Sequence, residues 1–241
     1  MSVVLGFLHP GNVSADFMRS VVNLLIFDMG HDQLITDKGG WLPLPAGPNL
    51  SAPRCKLVRS FLESGIEWLW MLDSDMTFPP QTLNRLMDSA SSERPIVGGL
   101  CFGRTNEDGL VYFPTLFDFD ETGQAYRYQT YPADTLIEVG ATGTACLLIH
   151  RDVLVKMGEN FPEPLPWFQE EVNSFGGLNG EDVTFCLRAR SLGFPIYVDT
   201  GVKLGHVKGF EINEQVYEEW YERSNRHTLV LPDPMGDSVH G

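Results

Sequence analysis

Short apolar runs alternate with helical periodicities along the first hundred residues. Residues 3–8 and 66–72 are almost uniformly apolar and of strand length, a pattern typical of buried strands in a mostly parallel sheet. Between them, residues 54–64 place apolar side chains at helical spacing, and residues 96–99 add another short apolar run. This alternation predicts an α/β fold in which residues 1–100 form half of a Rossmann-like nucleotide lobe.

Beyond residue 100 the pattern changes. Two longer β-rich segments, 110–119 and 136–149, predict a second and more antiparallel region. Glycines at 140 and 143 interrupt the second segment, which indicates either a bulge or the close approach of another molecule. The segment 162–180 is a candidate lid loop, and residues 213–225 have the pattern of an amphipathic helix that packs on its own domain or on a second subunit.

A proline-rich stretch precedes the helix predicted over residues 54–64. Residues 39–53 contain four prolines among Gly, Asn and Ser, and this composition predicts a loop. Loops of this length at a sheet edge are often functional.

Composition and charge disfavour some classes of protein. The 241 residues, 43% hydrophobic, suffice for a full core, and a net charge of −15 disfavours binding of duplex nucleic acid. The four cysteines form no CxxC pair, which is typical of reduced thiols. No basic n-region and no apolar stretch of membrane-spanning length is found, so we expect a soluble, cytoplasmic protein without a membrane anchor. The sequence leaves the oligomeric state open.

The candidate chemistry begins at Asp73 and Asp75, which directly follow the buried run 66–72. Ligands of parallel sheets bind beyond the carboxyl ends of the strands. Two carboxylates one residue apart repel each other, and a divalent cation or the hydroxyls and diphosphate of a nucleotide sugar would relieve that repulsion. A solvated turn with a capping aspartate is the alternative. A second acidic pair, Glu181 and Asp182, and then His206 follow downstream and favour a binding site.

These residues belong to an ordered set of motifs that resembles the GT-A-fold glycosyltransferases, most closely small soluble members such as the inverting family-two enzymes. The motifs are SAPR at 51–54, WMLDSD at 70–75, GATGTACLL at 140–148, WF at 167–168, GEDVTFC at 180–186, GFP at 193–195 and His206. The resemblance implies a GT-A fold with a mixed, mostly parallel central sheet. Residues 1–100 would be the nucleotide-sugar-binding half and residues 101–241 the acceptor-binding and catalytic half of one continuous domain.

The resemblance also implies a metal-dependent transfer of sugar from a nucleotide-diphosphate donor, a UDP- or GDP-sugar. Asp75 would bind Mn²⁺ or Mg²⁺ on the donor diphosphate, and Asp73 would contact the ribose or a metal-bound water. Because a nucleoside diphosphate leaves poorly until its charge is neutralised, the reaction needs this cation. His206 would be a further metal ligand, and its imidazole favours Mn²⁺. A histidine after a strand is otherwise an ordinary packed or exposed residue.

Three further residues complete the implied donor site. Arg54 matches the family arginine that reaches the nucleotide or diphosphate, although an exposed arginine at a helix start is equally ordinary. Ser74 lies within the acidic motif. His9 begins a segment, His-Pro-Gly, that departs from the family's usual start of the base-binding loop.

On the acceptor side the resemblance implies an inverting reaction in which Asp182 is the catalytic base. Glu181 would orient the acceptor or cap the helix, and capping alone also explains the acidic pair. Gly143 and Trp167 would shape the acceptor pocket, with a core tryptophan as the competing interpretation. A retaining mechanism stays open, and so does the acceptor, which would be a glycan, a small molecule or a protein.

Two other functions fit part of the pattern. Asp73 and Asp75 also resemble the nucleophile motif of haloacid-dehalogenase-like phosphatases, in which the first aspartate is phosphorylated. That family carries the motif on its first strand, and here Lys203 and the acidic pair at 181–182 follow in the wrong order. The other alternative is a sugar-binding module that binds the donor without turnover.

Overall fold

The structure is a computed structural model that describes residues 1–105 and 111–209. The predicted amphipathic helix at 213–225 lies outside the described residues. The helices are α1 (Ala15–Met29), α2 (Ser51–Ser64), α3 (Thr82–Ser89), α4 (Arg151–Asn160) and α5 (Glu181–Ser191). The strands are β1 (Val3–His9), β2 (Gly40–Pro45), β3 (Trp68–Asp73), β4 (Met76–Thr77), β5 (Ile96–Leu100), β6 (Phe102–Thr105), β7 (Val111–Pro114), β8 (Leu116–Phe119), β9 (Ala125–Arg127), β10 (Leu136–Val139), β11 (Ala141–Thr142), β12 (Cys146–His150), β13 (Glu171–Val172), β14 (Leu178–Asn179), β15 (Ile196–Lys203) and β16 (Gly205–His206).

A seven-stranded mixed sheet forms the centre of the molecule, with strand order β10-β15-β5-β12-β3-β1-β2. Strands β1, β2, β3, β5 and β15 run in one direction, and β10 and β12 run in the other. The predicted mixed, mostly parallel sheet is therefore confirmed. Both halves of the chain contribute strands to it, since β10, β12 and β15 come from beyond residue 100.

Helices cover both faces of this sheet. Alternate residues of β3 point to opposite sides, so that Leu69 and Met71 pack against α2, α4 and α5, whereas Trp70 and Leu72 pack against α1 and α3. Because β3 is buried on both faces, its sequence is a continuous apolar run rather than an alternating one. Its last residue, Asp73, emerges at the carboxyl edge of the sheet. None of the helices in the described part of the chain combines the length and apolarity needed to cross a membrane.

The segment 39–53 is not a continuous loop as predicted. Residues Gly40–Pro45 form β2, which pairs in parallel with β1 at the edge of the sheet. An edge strand tolerates proline because one side of its backbone needs no ladder donor, and β2 contains Pro43 and Pro45. The pattern of turn residues hid this strand.

The second region is more antiparallel than the first, as predicted, although its strand β15 pairs in parallel with β5. Strands β6 and β7 pair as a hairpin, and β8 pairs with both β9 and β11. The interruption at Gly140 has a packing cause, since a Cβ built there would lie 2.7 Å from Asp118 Oδ1 and 2.9 Å from its Cα. Gly140 thus allows close approach of the neighbouring chain segment. The candidate lid at 162–180 contains a small hairpin, β13–β14.

Gly39→Ala is expected to lower the free energy of unfolding by about 3 kcal/mol, the upper end of the usual overpacking cost. A Cβ at this position would lie 1.9 Å from the carbonyl oxygen of Val3 and 2.4 Å from that of Leu34. Both are backbone atoms, so neither contact is relieved by a change of rotamer. Urea unfolding measures the difference. Gly40→Ala is the matched control, because a Cβ there meets nothing within 4 Å. Equal stability of the two variants would contradict this packing.

Candidate functional site

A two-stranded bridge brings the acidic motif and His206 together. Directly after Asp75, β4 pairs with β16, so that Met76 lies opposite His206 and Thr77 opposite Gly205. The backbone N–H of Val207 donates to the carbonyl oxygen of Asp75 at 2.8 Å. These backbone contacts hold His206 beside the carboxyl end of β3, as the order of the motifs predicts.

The side chains of His206 and Asp75 have the chemistry of a metal-binding pair. His206 Nδ1 lies 2.8 Å from the carbonyl oxygen of Phe102, and a carbonyl only accepts, so this nitrogen carries the hydrogen. Nε2 lies 3.2 Å from Asp75 Oδ2, which also only accepts, so the contact is a hydrogen bond when Nε2 carries a hydrogen, and a cation bound to both atoms would replace that hydrogen. In an octahedral site, two neighbouring ligand atoms each lie about 2.1 Å from the cation and subtend a right angle there, so they are about 3 Å apart. The carbonyl that fixes the tautomer is the usual second partner of a metal-bound histidine.

Asp73 is not part of that pair. Its Oδ1 accepts a hydrogen bond from Arg54 Nη2 at 3.2 Å. Within residues 1–105 and 111–209, no group of three or more His, Cys, Asp and Glu side chains is arranged to hold a metal. Asp73 is ion-paired to Arg54 in this structure, so of the three predicted ligands Asp75 and His206 are the two whose side chains lie together. A cation held by these two residues would need its other ligands from the donor diphosphate and water.

Arg54 connects the two acidic motifs. Its side chain is only 5% exposed, Nη1 donates to Glu181 Oε1, and Nη2 donates to Asp73. The guanidinium also lies 5.9 Å from the centre of the Phe168 ring, which stacks on Phe185. Two of its N–H groups thus serve carboxylates of this chain, and the contact of Arg54 with the donor stays a prediction. The alternative interpretation, an exposed arginine at a helix start, is wrong because the side chain of Arg54 is buried.

Asp182 lies in the first turn of α5, beside the loop that joins β11 to β12. Its Oδ1 accepts the backbone N–H of Val183 at 2.8 Å, and its Oδ2 is 3.5 Å from a Cβ built at Gly143. Burial raises the pKa of the Asp182 carboxyl above its ordinary value, the Arg54 guanidinium opposes this effect, and the Glu181 charge adds to it. A buried carboxylate with a raised pKa is a stronger base than an exposed one.

The same loop connects Asp182 to the acidic motif. The carbonyl oxygen of Ala145 accepts the backbone N–H of Asp73 at 3.1 Å, two residues beyond Gly143. Gly143 thus lies beside the predicted base, at the position expected of an acceptor-side residue. Thr144, between Gly143 and Ala145, is 2% exposed, and its hydroxyl has no hydrogen-bond partner among the described residues.

One predicted acceptor contact is corrected by the structure. Trp167 is 3% exposed, and its indole N–H donates to the carbonyl oxygen of Leu154 at 2.7 Å, so it is a core residue that packs on α4. The cause of the error is that sequence spacing does not indicate which side of a loop or helix is covered. Glu181 is ion-paired to Arg54, and its contact with the acceptor stays a prediction.

His9 and Ser74 lie at the same carboxyl edge of the sheet. His9 is the last residue of β1, and the residue before it, Leu8, pairs with Asp73 of β3. The Nδ1 atom of His9 accepts a hydrogen bond from the backbone N–H of Gly11 at 3.2 Å. Ser74 is half-buried in the turn between β3 and β4. His9, Asp73, Ser74 and Asp75 thus lie at one edge of the sheet, His206 is held beside Asp75, and the charge of Arg54 acts on the Asp182 carboxyl.

Comparison with known proteins identifies the fold. No family model matches the chain, and no curated protein matches it in sequence. The solved structure of A197 from STIV is 18% identical with a TM-score of 0.53, and the match covers 87% of each chain. The structure of GalNAc-T7 with UDP, GalNAc and Mn²⁺ is 12% identical with a TM-score of 0.56; the match covers 87% of this chain but 44% of that one. The chain therefore has the GT-A-like α/β fold that its motifs predict.

Proposed function

We propose that this protein is a metal-dependent glycosyltransferase that moves a sugar from a nucleotide-diphosphate donor to an acceptor hydroxyl with inversion of configuration. The observation that carries the proposal is the pairing of Asp75 Oδ2 with His206 Nε2, 3.2 Å apart, at the carboxyl edge of the sheet. Ligands of open α/β sheets bind at this edge. The GT-A-like fold adds support, since GalNAc-T7 has been crystallised with UDP and Mn²⁺.

Asp75 and His206 would hold the cation, and the imidazole favours Mn²⁺ over Mg²⁺. When bound, the cation supplies charge neutralisation for the departing diphosphate. Asp73 has a different role in this proposal. Arg54 orients the Asp73 carboxylate, and the Asp73 side chain remains 34% exposed. The carboxylate can therefore accept hydrogen bonds from the ribose hydroxyls of a UDP- or GDP-sugar. Ser74 and His9 would contact the donor from the same edge.

Asp182 would act as the general base. Its carboxylate removes the proton from the acceptor hydroxyl while that oxygen forms a bond to the anomeric carbon of the donor sugar. The bond from that carbon to the diphosphate oxygen breaks on the opposite face, and the nucleoside diphosphate leaves with the electron pair. The raised pKa of Asp182 suits this role because it increases the proton affinity of the carboxylate. Gly143 has no side chain beside Asp182, and a Cβ there would lie 3.5 Å from Oδ2.

The phosphatase alternative loses support from the position of Lys203. Its ammonium lies 3.3 Å from Asp134 Oδ1, and both side chains are more than half exposed, so this lysine serves a surface ion pair. In the phosphatase scheme a lysine should accompany the nucleophilic aspartate. A sugar-binding module without turnover remains the other candidate, and product release distinguishes it from an enzyme.

The first test is a panel of UDP- and GDP-sugars with and without Mn²⁺, scored by calorimetric binding and by release of nucleoside diphosphate. We expect Mn²⁺-dependent binding of one donor. Asp75→Asn and His206→Gln should each weaken Mn²⁺-dependent binding by about 10- to 100-fold. Asp134→Asn, on the surface near β10, is the control and should leave binding unchanged. If no donor binds, the proposed function is wrong; if donor binds but no nucleoside diphosphate is released, with water or with any of the saccharide and peptide acceptors described below, the protein is a binding module.

A further inference from the structure

A cleft opens between two hairpins next to the N-terminus of α5. The β8–β9 hairpin contributes Phe117 and Gln124 to its lining, the β13–β14 hairpin contributes Phe175 and Asn179, and Gly180 closes the inner end. The cavity volume is about 390 Å³. None of the side chains that line it within the described residues is charged.

The inner end of this cleft borders the predicted base. Gly180 lines the cleft and is the N-cap residue of α5. A Cβ built at Gly180 would lie 3.1 Å from Asp182 Oδ1, so the absence of a side chain brings the cleft close to the carboxylate. Asp182 itself does not line the cleft, so the hydroxyl of a molecule in the cleft would reach the carboxylate past Gly180.

The lining combines aromatic faces with side-chain amides. Phe175 is 53% exposed and Phe117 is half-buried, and apolar ring faces suit the C–H surfaces of a pyranose. The amide oxygen of Asn179 accepts a hydrogen bond from Asn173 Nδ2 at 3.3 Å. The NH₂ group of Asn179 can then donate to other partners. Gln124 is exposed and carries both a donor and an acceptor. Neutral amides beside aromatic rings match a ligand with many hydroxyls and no charge.

The hairpin that carries Phe175 is internally organised. Asn173 Oδ1 accepts the backbone N–H groups of Phe175 at 3.0 Å and Gly177 at 2.9 Å, and Gly176 adopts a positive φ of 78° at the tip. This turn holds Phe175 out over the cleft although more than half of the ring is exposed. Such preorganisation lowers the entropic cost of binding.

From these features we infer that the cleft is the acceptor site and that the acceptor is a neutral carbohydrate, entering as a mono- or disaccharide end. The inference rests on the proposed glycosyltransferase function. The volume lies near the lower limit of the roughly 300–1,000 Å³ typical of small-ligand pockets, which fits a sugar end better than a folded protein surface. The uncharged lining disfavours a phosphorylated or strongly charged acceptor.

The test uses the full chain and a panel of methyl glycosides and neutral disaccharides, with a panel of Ser/Thr-containing peptides for comparison. Saturation-transfer NMR is expected to detect binding of at least one saccharide without donor present. Phe175→Ala and Asn179→Ala should each weaken that binding by about tenfold. Val172→Ala is the matched control, since Val172 lies on the same hairpin, is 74% exposed and does not line the cleft. Circular dichroism checks that each variant is folded.

The outcomes separate this inference from the proposed function. Acceleration of nucleoside diphosphate release by a saccharide, reduced in Phe175→Ala, would support it. Acceleration by peptides alone would overturn the carbohydrate acceptor while leaving the glycosyltransferase in place. Failure of all saccharides to bind, or equal binding by Phe175→Ala and wild type, would also overturn it. Saccharide binding without any donor binding would overturn the acceptor assignment together with the proposed function.

Discussion

Replacing Asp182 with Asn is expected to lower the rate of sugar transfer by about 10²- to 10⁴-fold, the usual contribution of a general base, and to change donor affinity by less than about twofold. The amide keeps the shape of the side chain and still accepts the Val183 N–H, but it no longer takes a proton. Initial rates of nucleoside diphosphate release and calorimetric donor binding measure the two quantities. Full activity of the variant would exclude Asp182 as the base.

Asp152 provides a control for the capping interpretation. Like Asp182, it lies in the first turn of its helix, but its side chain is 79% exposed on α4. If helix capping were the whole role of Asp182, the two Asp→Asn variants would behave alike. Each would then lose at most about 1 kcal/mol of stability through the helix dipole, and neither would lose activity.

The pH dependence of transfer follows from the environment of Asp182. The base works as a carboxylate, and burial raises its pKa, so the acidic limb of the rate profile should lie above the ordinary range of an aspartate. The folded state then binds this proton more tightly than the unfolded state. The contribution of Asp182 to stability therefore falls as pH rises from the ordinary value of 3.8 through the raised pKa. Above that window Asp182→Asn should be at least as stable as wild type despite its lost activity.

The parts of the fold that were predictable from the sequence depend on local patterns. The residues of β3 are apolar because the strand is covered on both faces, and a run of this kind is visible without knowledge of its neighbours. The carboxyl-edge position of Asp73 and Asp75 follows from the same observation. His206 was predictable because its place in the order of motifs carried the information, and the β4–β16 bridge is the structural reason for that order.

The parts that were not predictable depend on contacts between distant residues. Arg54 and Glu181 are 127 residues apart, and no local pattern indicates that a buried guanidinium joins Asp73 to the helix that carries Asp182. Trp167 was misassigned for the same reason, since its partner is a backbone carbonyl on α4. Strand β2 was hidden because its prolines are tolerated at a sheet edge, and only the order of the strands shows that it is an edge.

Arg54→Met should abolish transfer and also lower the free energy of unfolding by about 3–5 kcal/mol. The substitution leaves the Asp73 and Glu181 carboxylates without their shared cation, and Glu181 is only 17% exposed. Removing one member of a buried ion pair is costly because the other charge remains desolvated. The pKa of Asp182 should rise further, because the Arg54 charge opposes the effect of burial. Urea unfolding and the pH profile of any residual activity measure both effects.

Arg59 is the matched control on the same helix. Its guanidinium pairs with Glu163, but the two side chains are 39% and 66% exposed, so Arg59→Met should cost at most about 1 kcal/mol and leave transfer intact.

The double variant Arg54→Met with Glu181→Gln separates charge from positioning. The second substitution removes one of the two carboxylates that lost their shared cation, so the double variant should recover part of the lost stability. The expected coupling free energy between the two sites is about 0.5–3 kcal/mol. Activity should not return, because Asp73 would still lack the hydrogen bond that orients it toward the donor. Recovery of transfer in the double variant would mean that Arg54 only offsets the charge of Glu181, and that the orientation of Asp73 does not depend on it.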